Sequence, residues 1–160
     1  MTGGLSVWQL LFGYGGNPLL IAVIPLYLFA GIKGDKTDRA SAHVLASGAV
    51  LYVLMAHDQP NARPSWPYSA DQLGIHALLL TAQTVIALRS SRRYPIIMAA
   101  TQLLIVMAGV LGAAGLIAHE KTFFVIAGGA SVIQLGGFIV GLTAHRKWRR
   151  NAAPATVFEG

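Results

Sequence analysis

Five histidines, His43, His57, His76, His119 and His145, are the residues of this chain best suited to metal or redox chemistry. A neutral imidazole binds haem iron or zinc through one ring nitrogen. The chain has no cysteine, which excludes disulfides, thiolate metal sites, covalently attached c-type haem and a cysteine nucleophile. Asp58, Asp71 and Glu120 lie close in sequence to three of the histidines. The adjacent pairs His57 with Asp58 and His119 with Glu120 offer the mixed nitrogen and oxygen donors that a divalent metal uses, although no HExxH spacing accompanies them.

His43 and His57 have thirteen residues between them, close to four helical turns, which places them on one helix face roughly 21 Å apart. This spacing resembles that of the cytochrome b family, in which two histidines on one helix each ligate one of two stacked haems. The likeness covers this pair alone. In that family a second helix repeats the spacing, whereas His76 has no histidine at the same spacing beyond it. A substitute set exists: His43 and His145 fall near one membrane surface, and His57, His76 and His119 near the other. Haem b is therefore a candidate cofactor, although no cofactor is the first expectation. Helix ends also suit histidine because the membrane interface tolerates its amphipathic ring.

Three glutamines, Gln83, Gln102 and Gln134, fall near mid-membrane in three successive apolar stretches. With Thr81, Thr84, Thr101 and Ser131 nearby they are expected to hydrogen-bond across helices, each bond contributing about 0.6 to 2 kcal/mol. Binding of a polar solute or a quinone head group is the alternative. Gly137 and Gly141 form a small-xxx-small pair, and Gly109, Gly112 and Gly115 a similar series. Such residues let helix backbones approach closely, within one bundle or between copies.

These residues must be carried by elements that sit in a bilayer. Charged residues make up 11% of the chain and hydrophobic ones 54%, and mean hydropathy is +0.58, unlike a soluble domain with about a quarter of its residues charged. Five apolar stretches are predicted as helical spans at about 17–32, 40–57, 72–88, 95–118 and 122–145. Asn17 and Pro18 mark the start of the first, Pro25 is expected to kink it, and residues 5–16 read as an interfacial or re-entrant half-helix or as part of that span. Ser69 with Gln72 resembles a capping box opening the third.

Ten of the twelve Lys and Arg residues fall in alternate gaps. Lys33, Lys36 and Arg39 follow the first stretch, Arg89, Arg92 and Arg93 the third, and Arg146, Lys147, Arg149 and Arg150 the fifth, against only Arg63 and Lys121 in the other gaps. Ten against two fixes the N-terminus outside and the C-terminus in the cytoplasm of a bacterial-type inner membrane. The N-terminus lacks a basic n-region and cleavage site and reads as uncleaved. A nucleic-acid binder would gather its cations on one face or arm, so the charge belongs to orientation and to anionic lipids of the inner leaflet.

The expected fold is all-α, an integral membrane five-helix bundle over residues 1–150 with a disordered cytoplasmic tail over 151–160. No acidic or basic residue falls inside a predicted span, which argues against a proton-coupled antiporter. Small multidrug transporters are similar in size but carry a glutamate in the first membrane helix, and this chain does not. No phosphate-binding loop, dinucleotide fingerprint or nucleophile elbow is present, so no catalytic residue is assigned. The expected function is an accessory or structural subunit of a membrane complex, partnered by other subunits or by itself. The alternatives are a haem or quinone-linked electron carrier and a small permease for an uncharged solute.

Overall fold

The computed structural model describes residues 18–58, 70–117 and 120–152, with side chains described for 22–51, 72–117, 122, 123 and 125–148. The described residues form five helices: α1 Pro18–Lys33, α2 Lys36–Asp58, α3 Ala70–Arg89, α4 Tyr94–Ala113 and α5 Glu120–Ala152. Residues 1–17, with the interfacial half-helix expected at 5–16, lie outside the described residues, as do Ser69 of the expected capping box and the tail from 153 onward.

Three helix boundaries differ from the sequence expectation, each for a local reason. Helix α2 begins at Lys36, four residues before the expected position, because Asp35 and Asp38 cap it reciprocally. The Asp38 N–H donates to Asp35 Oδ1 at 3.0 Å and the Asp35 N–H to Asp38 Oδ2 at 3.1 Å, a capping box built from two aspartates. Helix α4 stops at Ala113 rather than near 118. Gly115 has a φ of +71°, the Leu116 N–H reaches Leu111 O, and the Gly115 N–H reaches Gly112 O. These bonds close a Schellman motif, which needs the left-handed conformation that glycine supplies cheaply. Gly115 is thus an exposed helix cap and not a packing residue, which corrects its place in the glycine series. Helix α5 runs 33 residues, roughly 50 Å, beyond the 122–145 expected, and takes residues 151 and 152 out of the supposed tail.

Each helix packs against its neighbours in sequence, and α1 also packs against α5, closing the five into a ring. The links of two residues between α1 and α2 and four between α3 and α4 are too short for anything but antiparallel neighbours. They bring the C-termini of α1, α3 and α5 together with the N-termini of α2 and α4 at one end. Ala30, Ala42, Tyr94, Met98, Phe138 and Leu142 form the core at that end, with the Tyr94 and Phe138 rings 5.8 Å apart.

Several polar side chains are buried beside the apolar core, while many large apolar side chains are exposed. Asp38, Ser41, Gln83, Thr101, Gln102 and Gln134 are buried, while Ile32, Leu88, Val125 and Val140 are 65% to 82% exposed. Two helices, α4 and the Val125–Trp148 portion of α5, are long and apolar enough to cross a membrane. Helix α1 contributes a shorter apolar stretch, Ala22–Lys33, with Pro25 inside it.

Candidate functional site

Two polar clusters occupy the bundle interior, and the first is a charged cluster that the sequence did not reveal. Its frame is the α2 capping box. With Asp35 and Asp38 fixed at the ends of one helical turn, their remaining carboxylate oxygens point across the bundle end toward the α3–α4 link. Arg92, in that link, answers with both arms of its guanidinium. Nη1 donates to Asp38 Oδ1 at 2.5 Å, and Nη2 donates to Asp35 Oδ2 and, at 2.8 Å, to His145 Nε2 on α5. The Tyr94 hydroxyl, at the start of α4, donates to Asp38 Oδ1 at 2.7 Å. Asp38, only 2% exposed, accepts three hydrogen bonds, which satisfy a buried carboxyl group cut off from water.

Asp38 is the acid that most alters the sequence expectation, because it lies inside a helix and is buried in the bundle rather than placed in a solvated loop. Partial burial raises the Asp35 carboxyl, but the Asp38 backbone N–H, Arg92 and His145 outweigh it, and the group titrates below its ordinary value of 3.8. Ser41, one turn further along α2, is fully buried, and its Oγ completes no hydrogen bond among the described residues, although it lies beside the Tyr94 hydroxyl.

Donor atoms of Asp35, Asp38 and His145 lie within 4.8 Å of one another, close enough for a metal ion. Arg92 already bonds all three residues, so the position is filled by a tethered cation and a metal would have to displace it. The arrangement is that of a hydrogen-bonded ion-pair network. The metal pairs expected from sequence, His57 with Asp58 and His119 with Glu120, lie outside the described side chains.

The second cluster joins the three glutamines. Gln134 Nε2 donates to Gln83 Oε1 at 2.9 Å, and it lies 3.3 Å from both Gln102 Oε1 and the Met98 carbonyl. Gln102 Nε2 in turn donates to His76 Nδ1 at 3.0 Å. One connected network thus links α3, α4 and α5. All three glutamines are buried, and Met98 and Phe138, each 1% exposed or less, stand between this network and the charged end.

Of the haem candidates, His43, His76 and His145 are described. The His43 Nδ1 lies 3.2 Å from the Tyr27 hydroxyl on α1, His76 accepts from Gln102, and His145 accepts from Arg92. Ligation by His145 through Nε2 would require giving up Arg92. Among the packing glycines, Gly137 faces Ile97 and Gly141 faces Tyr94, both on α4 of the same chain. Gly109 and Gly112 are buried on the α4 face that carries Gln102 and Ile105.

Sequence reasoning missed Asp35, Asp38, Arg92 and Tyr94. The D-x-x-D spacing after Gly34 was the available clue, since a carboxylate three residues past an Asp cap is a helix-start pattern. Comparison with known proteins finds no family model, no curated protein and no solved structure that matches this chain.

Proposed function

We propose that the chain is a multi-pass protein of a bacterial-type cytoplasmic membrane, with five crossings, its N-terminus outside and its C-terminus inside, and that it serves as an accessory or structural subunit. The observation that carries this reading is the interior in which Gln134 ties Gln83 and Gln102 together while large apolar side chains face outward. In hydrocarbon there is no hydrophobic drive between helices, so close packing and interhelical hydrogen bonds must hold a bundle. The glutamine network and the Gly137 and Gly141 contacts supply both. Exposed Lys33, Lys36, Arg39, Arg89, Arg93, Arg146 and Lys147 all fall at the end that the charge count assigns to the cytoplasm. There they meet anionic headgroups, with Trp148 at interfacial depth.

Reporter fusions at both termini test the topology: a cytoplasmic C-terminus with an extracytoplasmic N-terminus is expected, and two termini on the same side would overturn it. The functional reading is tested by mild-detergent purification from the native membrane, which is expected to yield a complex of defined stoichiometry. A monodisperse monomer with no copurifying subunit counts against it.

A permease for an uncharged solute is the second reading. It is favoured by the stacking of a neutral polar network above the Met98 and Phe138 layer and an ion-paired end below. Solute uptake into proteoliposomes that is lost in Gln134→Leu would select it over the first. An absorption spectrum with a Soret band would move the assignment to haem.

A further inference from the structure

We propose that His145 exchanges hydrogen-bond partners when it is protonated, leaving Arg92 for Asp35, so that the tie between the end of α5 and the α3–α4 link responds to pH. On the topology proposed above this end lies in the cytoplasm, but the exchange itself does not depend on that placement.

A guanidinium only donates and keeps its proton in proteins. The Nη2 hydrogens of Arg92 go one to Asp35 Oδ2 and one to His145 Nε2, so that ring nitrogen is the acceptor and the imidazole proton sits on Nδ1. Protonating Nε2 sets donor against donor and cation against cation. The new N–H has another acceptor close by, because Asp35 Oδ2 lies 4.0 Å from Nε2 on a partly exposed side chain that a small ring rotation reaches. With neutral His145, two carboxylates and one guanidinium leave the inner cluster with one negative charge, and uptake of one proton neutralises it.

The groups that act on His145 come from every surrounding element. Asp35 and Asp38 favour its charged form. Arg92 opposes it directly, and exposed Lys33 on α1, Lys36 and Arg39 on α2, Arg89 on α3, Arg93 in the link, and Arg146 and Lys147 on α5 oppose it at longer range. Tyr94 is committed to Asp38, and His43 to Tyr27. The long-range cations are exposed and screened by salt, whereas Asp35 and Arg92 are in contact, so these two set the balance.

Trp148 supplies the readout. Its ring stacks on His145 with centroids 6.0 Å apart and planes 26° apart. An imidazolium in contact with an excited indole accepts an electron and quenches its emission, which a neutral imidazole does far less. Emission of the purified full-length protein, with Trp148 isolated as the difference between wild type and Trp148→Phe, is titrated over about pH 5 to 8, where imidazoles change charge. The expected result is loss of Trp148 emission as pH falls. The step is expected to vanish in His145→Gln, whose amide oxygen still accepts from Arg92, to move to lower pH in Asp35→Asn and to higher pH in Arg92→Gln. No step in the wild type, a step that survives His145→Gln, or a midpoint unmoved by both partner substitutions overturns the proposal.

Discussion

Gly141 on α5 lies directly against Tyr94 on α4, so closely that a Cβ at position 141 would stand 2.7 Å from the Tyr94 Cβ and nearer still to its ring. The absence of a side chain there is what lets Tyr94 sit flat between α4 and α5 and aim its hydroxyl at Asp38. Gly141→Ala is expected to destabilise the bundle by about 1 to 3 kcal/mol despite the better helix propensity of alanine, because overpacking displaces the ring. Gly136→Ala is the control, since a Cβ there meets nothing within 4 Å. Thermal unfolding in detergent should rank the two variants on opposite sides of the wild type, and equal midpoints would show that the Tyr94 contact is slack.

Arg92 and Asp38 are a pair with one half-buried and one buried side chain, 17% and 2% exposed, and loss of Arg92 strands Asp38. Arg92→Ala is expected to cost about 3 to 5 kcal/mol, since buried Asp38 then loses its charged partner and keeps only Tyr94 and a backbone N–H. The Arg92→Ala/Asp38→Ala double variant should cost much less than the sum of the two singles. Additive effects in the double-mutant cycle would mean that the two residues act independently.

The two polar clusters were not equally legible in the sequence. Each of three consecutive apolar stretches contains one glutamine near its middle, and in hydrocarbon such a group must find a partner, so the meeting of Gln83, Gln102 and Gln134 follows from composition and helix height alone. Arg92 was hidden among cations read as setting orientation, and nothing in its type separates it from Arg89 or Arg93. Its inward turn comes from the four-residue link and the position of two aspartates contributed by a distant part of the chain, which is tertiary information. Gly115 was misread for a related reason: glycines at three-residue intervals resemble a packing face, and only the φ of +71° distinguishes a cap.

Asp35 gives the cluster a defined acid response. Its carboxyl titrates below the ordinary value of 3.8, so its contribution to stability is fully present above that pH and is lost as pH falls through the lower folded-state value. The wild type should therefore lose stability on acidification below about pH 4, and Asp35→Asn, which cannot titrate, should lose less over the same interval. Parallel stability curves for the two proteins would show that Asp35 does not drive the loss.

Gln134 is the donor on which the second network depends. Gln134→Leu removes the hydrogen bond to Gln83 Oε1 and the approaches to Gln102 Oε1 and the Met98 carbonyl, leaving buried carbonyls with fewer donors. A destabilisation of about 1 to 3 kcal/mol is expected. Gln134→Glu at neutral pH should be worse, since it replaces the donor with a group that presents only acceptors when ionised. A leucine variant at least as stable as the wild type would mean that packing alone holds α3, α4 and α5 together.

Val132 and Ile133 are each 56% exposed, while the adjacent Gln134 is 6% exposed. This reversal makes the Val132 face the place to test what solvent the outer surface meets. On a surface facing water, Val132→Lys is expected to change stability by no more than about 0.5 kcal/mol, and its charge should improve solubility. Facing the centre of a bilayer, the same substitution costs roughly 2.5 to 3.5 kcal/mol on insertion scales, because an ammonium must be carried into hydrocarbon with no partner. Lys at exposed Arg93, a position already cationic at the bundle end, should be tolerated in either solvent. Membrane-inserted yield of Val132→Lys relative to Arg93→Lys separates the cases: a deficit confined to the first places the Val132 face in lipid, and equal yields place it in water and remove the membrane reading.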